Sequence, residues 1–308
     1  MKRIVCLFIG LVVSSQIFAA QSLPEPKVSK INERVYALLG PVALPNKENQ
    51  GYQVNSTAII GDKGVIIVDT GFTDEIGAHL LKAIAKITSK PVTHIINTHH
   101  HGDHTLGNIA FKNAEVISAE QCKAQLLKTG PEWIGMVEGF AGRKFPNTKL
   151  VPATVTFPEN TKTEKMIDGV KLVLWVPTGS HTAGDMIVFL PDDNVLIGGD
   201  ILVNHVMPNF RDGHVKSWIG TLDQIQKMNV KTIVPGHGPL MTNKEVAGLH
   251  DRMASLYSAV EAGYKKGLND SEIRKSMDLS DWKKLKEFDV VMGGNINRAY
   301  LEVEAANF

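Results

Sequence analysis

Cysteine is nearly missing from this chain. Only Cys6 and Cys122 occur among its 308 residues. Cys6 lies inside a short leader-like run, so the rest of the chain holds one thiol and no intrachain disulfide is available to it. Cys122 is expected to be a buried helix residue. An excess of one charge is also lacking. The 33 basic residues meet 32 acids, for a formal net charge of +1, and the two signs are interspersed. This balance excludes a general affinity for nucleic acid or an anionic membrane surface. No Pro-, Gly- or Ser-rich linker divides the chain after its first twenty residues. Neither a supported nucleophilic triad nor a phosphate-cradling loop is found; "GDKGV" and "GGNIN" are glycine-containing turns.

What is present begins with residues 1–20. Lys2 and Arg3 precede "IVCLFIGLVV", and "SSQIFAA" leads out. A basic start, a short apolar core and a small-residue exit predict a secretory signal peptide. The apolar run falls short of the ~20 residues that span a bilayer, so no membrane span is expected in the mature chain. Residues 21–308 are expected to form a single domain, exported to the periplasm or secreted. Its 43% hydrophobic content suits a sizeable core.

A local order then occurs twice. "VIIVDT" is an apolar strand ending at Asp69. A helix follows, with Ile76, Leu80, Leu81 and Ile84 at helical spacing and Thr73 as N-cap. The strand in "THIINTHHH" then runs into histidines. In the second half "VLIGGD" ends at Asp200, "SWIGTLDQIQKM" is a helix, and "KTIVPGHG" runs into His237. A hairpin precedes each unit. Two such halves predict an α/β fold with two sheets packed together and helices outside, and with polar strand-end residues meeting along one edge. The last sixty or so residues read as outer-layer helices.

The stretch "HHHGDH" places His99, His100, His101, Asp103 and His104 within six positions. Neutral imidazoles are available as metal ligands near pH 7. After a strand, His99 and His101 share a side while His100 points away. Gly102 permits a turn that displaces Asp103 and His104. A histidine-rich loop alone is weak evidence. His181 in "GSHTAGD", Asp200 in "IGGD" and His237 in "VPGHG" strengthen it, each being near a glycine at the mouth of an expected strand.

Together these motifs resemble those of the metallo-β-lactamase superfamily, in order, over roughly residues 30 to 240. The resemblance implies an αββα four-layer sandwich of the metallo-β-lactamase type, carrying two metals at one edge. It implies His99, His101 and His181 at the first metal, Asp103, His104 and His237 at the second, and Asp200 bridging both. It also implies that Asp69 orients the ligand loop rather than binding metal. Two Zn²⁺ per chain are expected, with iron or a mixed centre as alternatives.

The activity so implied is that of an exported binuclear metal-dependent hydrolase using a metal-bound hydroxide, with Asp103 holding and orienting the nucleophile. The expected partner is a small-molecule acyl substrate, with a β-lactam or other small cyclic amide or ester placed first. Many β-lactamases of the family carry cysteine or serine where this chain has Asp200. A bridging aspartate is similar to glyoxalase II, so a thioesterase of that type is an alternative. A non-haem iron oxygenase and a non-catalytic metal-binding module are two more. For specificity, the loop Gly40–Gln53 is expected over the metals. Trp133, Met136, Val137 and Phe140 are expected to form an apolar wall, and Trp133, Asn209 and Arg211 to be possible substrate contacts. His205 and His214 are expected to be loop residues.

Overall fold

The apolar run before Asp69 is a strand buried at every residue. In the computed structural model, which describes residues 22–307, it is β4 (Val65–Val68) of a seven-stranded sheet. The expected signal segment lies outside the described residues. The other strands of this sheet are β1 (Lys27–Lys30), β2 (Val35–Leu39), β3 (Ser56–Ile60), β5 (Val92–Ile96), β6 (Glu115–Ala119) and β7 (Val155–Phe157), ordered β1-β2-β3-β4-β5-β6-β7. Pairing is antiparallel from β1 to β4 and parallel from β4 to β7. The second sheet holds β8 (Thr161–Ile167), β9 (Val170–Val176), β10 (Ile187–Leu190), β11 (Val195–Ile197) and β12 (Thr232–Val234), ordered β12-β11-β10-β9-β8.

Strand alternation divides the apolar residues between layers. Ile66 and Val68 of β4 face the second sheet, whose Leu172, Leu174, Val188 and Val195 meet them in the central core. Val65 and Ile67 face outward, against Ile76 and Leu80 of α1 (Asp74–Ala85). A strand covered on both faces needs a continuous apolar run, which is what "VIIV" supplies. Removing one such side chain, as in Ile66→Ala, costs about 2–5 kcal/mol. The outer face of the second sheet, with Leu196 and Ile233, packs on Trp218 and Leu222 of α4 (Val215–Lys227) and on the C-terminal helices. The layers are therefore helices, sheet, sheet, helices, as expected.

The doubled order is also present. The β3–β4 hairpin leads through α1 to β5, parallel to β4; the β10–β11 hairpin leads through α4 to β12, parallel to β11. Thr73 caps α1, its hydroxyl accepting from the Ile76 N–H at 3.2 Å. Two further helices bear on the site. The short α2 (Gly102–Thr105) carries Asp103 and His104, and α3 (Glu120–Ala141) carries Trp133. The chain ends in α5 (Asn243–Lys265), α6 (Asp270–Ser276) and α7 (Phe288–Ala305). Helix α7 grips the loop before α4 at three points. The Asn295 side chain accepts from Phe210 N at 2.9 Å and donates to Pro208 O at 2.7 Å. Arg298 Nε donates to Gly213 O at 2.9 Å, and the Glu302 carboxylate accepts from Val215 N and Lys216 N at 2.7 and 3.0 Å. No described helix is long and apolar enough to cross a membrane.

Candidate metal centre

All the expected ligands converge at one edge of the two sheets. His99, His101, His181 and Asp200 bring one donor atom each to within 4.8 Å of one another, and Asp103, His104 and His237 form a second such group. Asp200 reaches both. Its Oδ2 lies 3.7 Å from His181 Nε2 and 3.3 Å from His237 Nε2, and its Oδ1 lies 3.3 Å from His104 Nε2.

The backbone explains the closeness. Gly199 has φ +50, and a β-carbon there would press on the Thr98 side chain. One at Gly236 would overlap the Asp200 carboxylate. Only glycine lets the loops after β11 and β12 approach this near. Asp69 sits at φ 59, a left-handed conformation that aspartate tolerates better than most residues. From there its Oδ1 accepts from Thr98 N at 2.8 Å, while Oδ2 accepts from Thr98 Oγ1 and meets His104 Nδ1, both at 2.7 Å. Asp69 thus orients the ligand loop without joining either group.

Each ligand histidine has its other ring nitrogen held, which sets the tautomer. His99 Nδ1 meets Thr98 Oγ1 at 3.1 Å. His181 Nδ1 donates to Asn209 O and His237 Nδ1 to Gln53 O, both at 3.2 Å. His101 is the reverse case: its Nε2 meets Asp212 Oδ2 at 2.9 Å, leaving Nδ1 only 3.1 Å from His181 Nε2. His99 Nε2, His104 Nε2 and Asp200 Oδ1 are buried without a hydrogen bond. Buried polar atoms rarely stay unpaired. Convergent imidazole and carboxylate lone pairs with oriented rings are a donor set that zinc fits.

The two groups differ electrostatically. Burial, with the imidazoles of His104 and His101 adding to it, holds His99 well below its ordinary value. Burial also pushes His181 down to about 3, against the pull of Asp200. In the second group burial likewise disfavours charge, but the carboxylates outweigh it. Asp103, Asp200 and Asp69 raise His104 well above its usual value, and Asp200 with Asp103 raises His237 to about 10. Burial opposes ionisation of Asp103 and Asp200, yet His104 and His237 hold both below the ordinary carboxylate range.

The rim is partly as expected. Pro41–Pro45 and Gln53, from the Gly40–Gln53 loop, line the cleft, and Gln53 Nε2 donates to Asp103 Oδ2 at 3.1 Å. Trp133, Met136 and Phe140 line it too, with Trp133 4.8 Å from the His101 ring. Val137 does not. It is fully buried in the core beside Gly51, because the helix stripe straddles the boundary between core and cleft. Asn209 and Arg211 also line the cleft. The Asn209 side chain accepts from Arg211 N, while its backbone carbonyl holds His181. Arg211 lies 5.0 Å over Trp133 and pairs with Asp212 at 2.9 Å. His100 is packed, and His205 and His214 are exposed. Sequence reasoning missed Gln53 as a partner of Asp103, Asp212 as a partner of His101, and Glu287, which also faces the cleft. Asp212 stands beside the already suspected Arg211, but no spacing singles it out.

A sandwich of this layering with a His/Asp cage at its edge defines a class of metal-dependent enzymes. The chain belongs to the metallo-beta-lactamase superfamily, whose family model matches residues 49–237. It is 26% identical over 260 residues to a linear primary-alkylsulfatase of Pseudomonas sp., covering 70% of this chain and 48% of that protein. The chain therefore spans about half the length of the alkylsulfatase. It is 25% identical over 223 residues to a type 2 metallo-beta-lactamase of Bacillus sp., covering 68% of this chain and 76% of the other. Both relatives are hydrolases. The fold is shared with a solved metallo-beta-lactamase from Pontibacter korlensis, with a TM-score of 0.60 and 22% identity over 75% of this chain and 99% of that one.

Proposed function

We propose that this chain is an exported binuclear zinc hydrolase acting on a β-lactam or another small cyclic amide or ester that carries an apolar group. The observation that carries this reading is the convergence of seven ligand side chains, with Asp200 within reach of both groups. His99, His101 and His181 would hold one ion, Asp103, His104 and His237 the other, and Asp200 would bridge them. Bound there, the pair supplies an acidified water and a polarised scissile bond.

The remaining work belongs to the chain's own residues. Asp103 stays ionised across neutral pH and is positioned by Gln53 Nε2, so it can hold and orient an attacking water. Trp133, Met136 and Phe140 offer apolar area to the acyl portion and exclude water from it. Export is supported by the composition of residues 1–20.

A second reading has its own support. The alkylsulfatase relative and the apolar rim residues Val42, Leu44, Met136 and Phe140, all part-exposed, favour an alkyl sulfate ester. The test is to quantify metal in the mature protein and assay nitrocefin, a lactone, a thioester and an alkyl sulfate in parallel. Two zinc per chain with lactam or lactone turnover supports the first reading, and sulfate release alone supports the second. A preference for the thioester would favour the glyoxalase II-type alternative. Metal without any turnover would return the chain to a non-catalytic binding module. One iron per chain with oxygen consumption would make it an oxygenase.

A further inference from the structure

Glu287 stands out among the cleft residues. It precedes α7 in a left-handed conformation, φ 72, which a long side chain seldom adopts. The surrounding backbone holds it there. Lys286 N donates to His205 O at 2.9 Å and Met207 N donates to Lys286 O at 3.0 Å, tying the residue before Glu287 to the segment after Asp200. Val290 N and Val291 N donate to Glu287 O at 3.1 and 3.0 Å. Among the described residues the Glu287 carboxylate has no hydrogen bond or ion pair, although it is half-buried and lines the cleft. Burial raises its pKa, and the charges that reach it are those of His237, Asp200 and Asp103. Val203 forms a β-bridge with His237 and Asn204 N donates to His237 O at 3.0 Å, so the segment tied to Lys286 runs beside the second ligand group and Glu287 lies toward that group.

The lining beside the first ligand group has a different character. There Trp133 packs on His101 of the first group, and the Arg211 guanidinium beside it is already paired with Asp212. Glu287 is thus an unpaired carboxylate in a cleft whose arginine is already neutralised, with the apolar Val206 and Met207 beside it.

We propose that Glu287 is a specificity residue that binds an ammonium group of the substrate at the end of the cleft beside the second ligand group. The inference rests on the cleft being the substrate site proposed above. It adds a substrate class: an acyl substrate with an apolar portion and an ammonium group that reaches toward the second ligand group. A part-desolvated carboxylate favours such a cation over a neutral isostere by about tenfold or more.

The test uses the metal-quantified protein and a matched pair of thioesters. One is phenylacetylthiocholine; the other replaces its trimethylammonium by a tert-butyl group. Released thiol reports kcat/KM, and calorimetry with the corresponding non-hydrolysable ethers reports binding. Expected is a preference for the cation of about tenfold in the native protein, reduced to about one in Glu287→Gln and partly kept in Glu287→Asp. Equal binding of the two ethers by the native protein would overturn the proposal. So would an undiminished preference in Glu287→Gln, or a loss of metal from that variant, which would make Glu287 a ligand. If the ethers are discriminated through Glu287 but neither these thioesters nor nitrocefin, the lactone or the alkyl sulfate is turned over, the hydrolase reading fails and this one stands.

Discussion

The three-imidazole group and the mixed group are both clusters of buried donors, but they meet the cost of burial in opposite ways. His99 and His181 shed charge: burial keeps their protons off and leaves neutral lone pairs. Asp103, His104 and His237 keep theirs and neutralise one another in a network of short contacts, with His237 Nε2 3.2 Å from Asp103 Oδ2. A cation entering the first group displaces few protons, whereas one entering the second must displace those held by His104 and His237. The lesson is that the neighbours of a histidine, and not its type, decide whether it stands ready as a ligand.

The comparison can be broken most forcefully at Asp103. Asp103→Asn removes the carboxylate that holds and orients the nucleophile in the mixed group, and kcat on the best substrate should fall about 10²-fold or more in steady-state assays. Unchanged turnover would end the proposed mechanism. Next comes Asp69→Ala, which frees the His104 ring and should weaken zinc binding about 10–100-fold in competition with a chelator. Asp212→Asn makes the same kind of change at the first group, where the carboxylate is 37% exposed. Its effect should be smaller, about tenfold or less in the same competition. A larger loss from Asp212→Asn than from Asp69→Ala would reverse the contrast drawn here.

The smallest expected effect concerns pH. In metal-stripped protein His237 is raised from its ordinary 6.5 to about 10. A raised histidine stabilises the fold fully below its unfolded pKa, and that contribution is lost as pH climbs through the folded one. Thermal unfolding of the stripped protein should therefore show Tm declining between about pH 6.5 and 10. A flat profile would mean that the mixed group is not an ion-pair network.

Much of this was legible in the sequence because the chemistry is written locally. Histidine and aspartate at strand mouths, next to glycine, mark positions where side chains leave a sheet edge, and the doubled strand–helix–strand order brings two such edges together. Asp69 was legible as the end of an apolar strand, while its orienting role came from the family resemblance. Gln53, Asp212 and Glu287 were not, since each comes to the cleft through loop or helix-start geometry that leaves no periodicity. Val137 was grouped with its helix neighbours because spacing identifies a stripe; where the core stops and the cleft begins is decided by what packs opposite it.

The grip of α7 has a consequence for the metal centre. Asn295, Arg298 and Glu302 pin the loop whose Asn209 carbonyl and Asp212 carboxylate orient His181 and His101. The cage is thus completed by a helix that follows every ligand in the sequence. A fragment ending before α7 would contain every ligand yet lack the brace that aims two of them, so loss of α7 would be felt first as a loosened grip on metal.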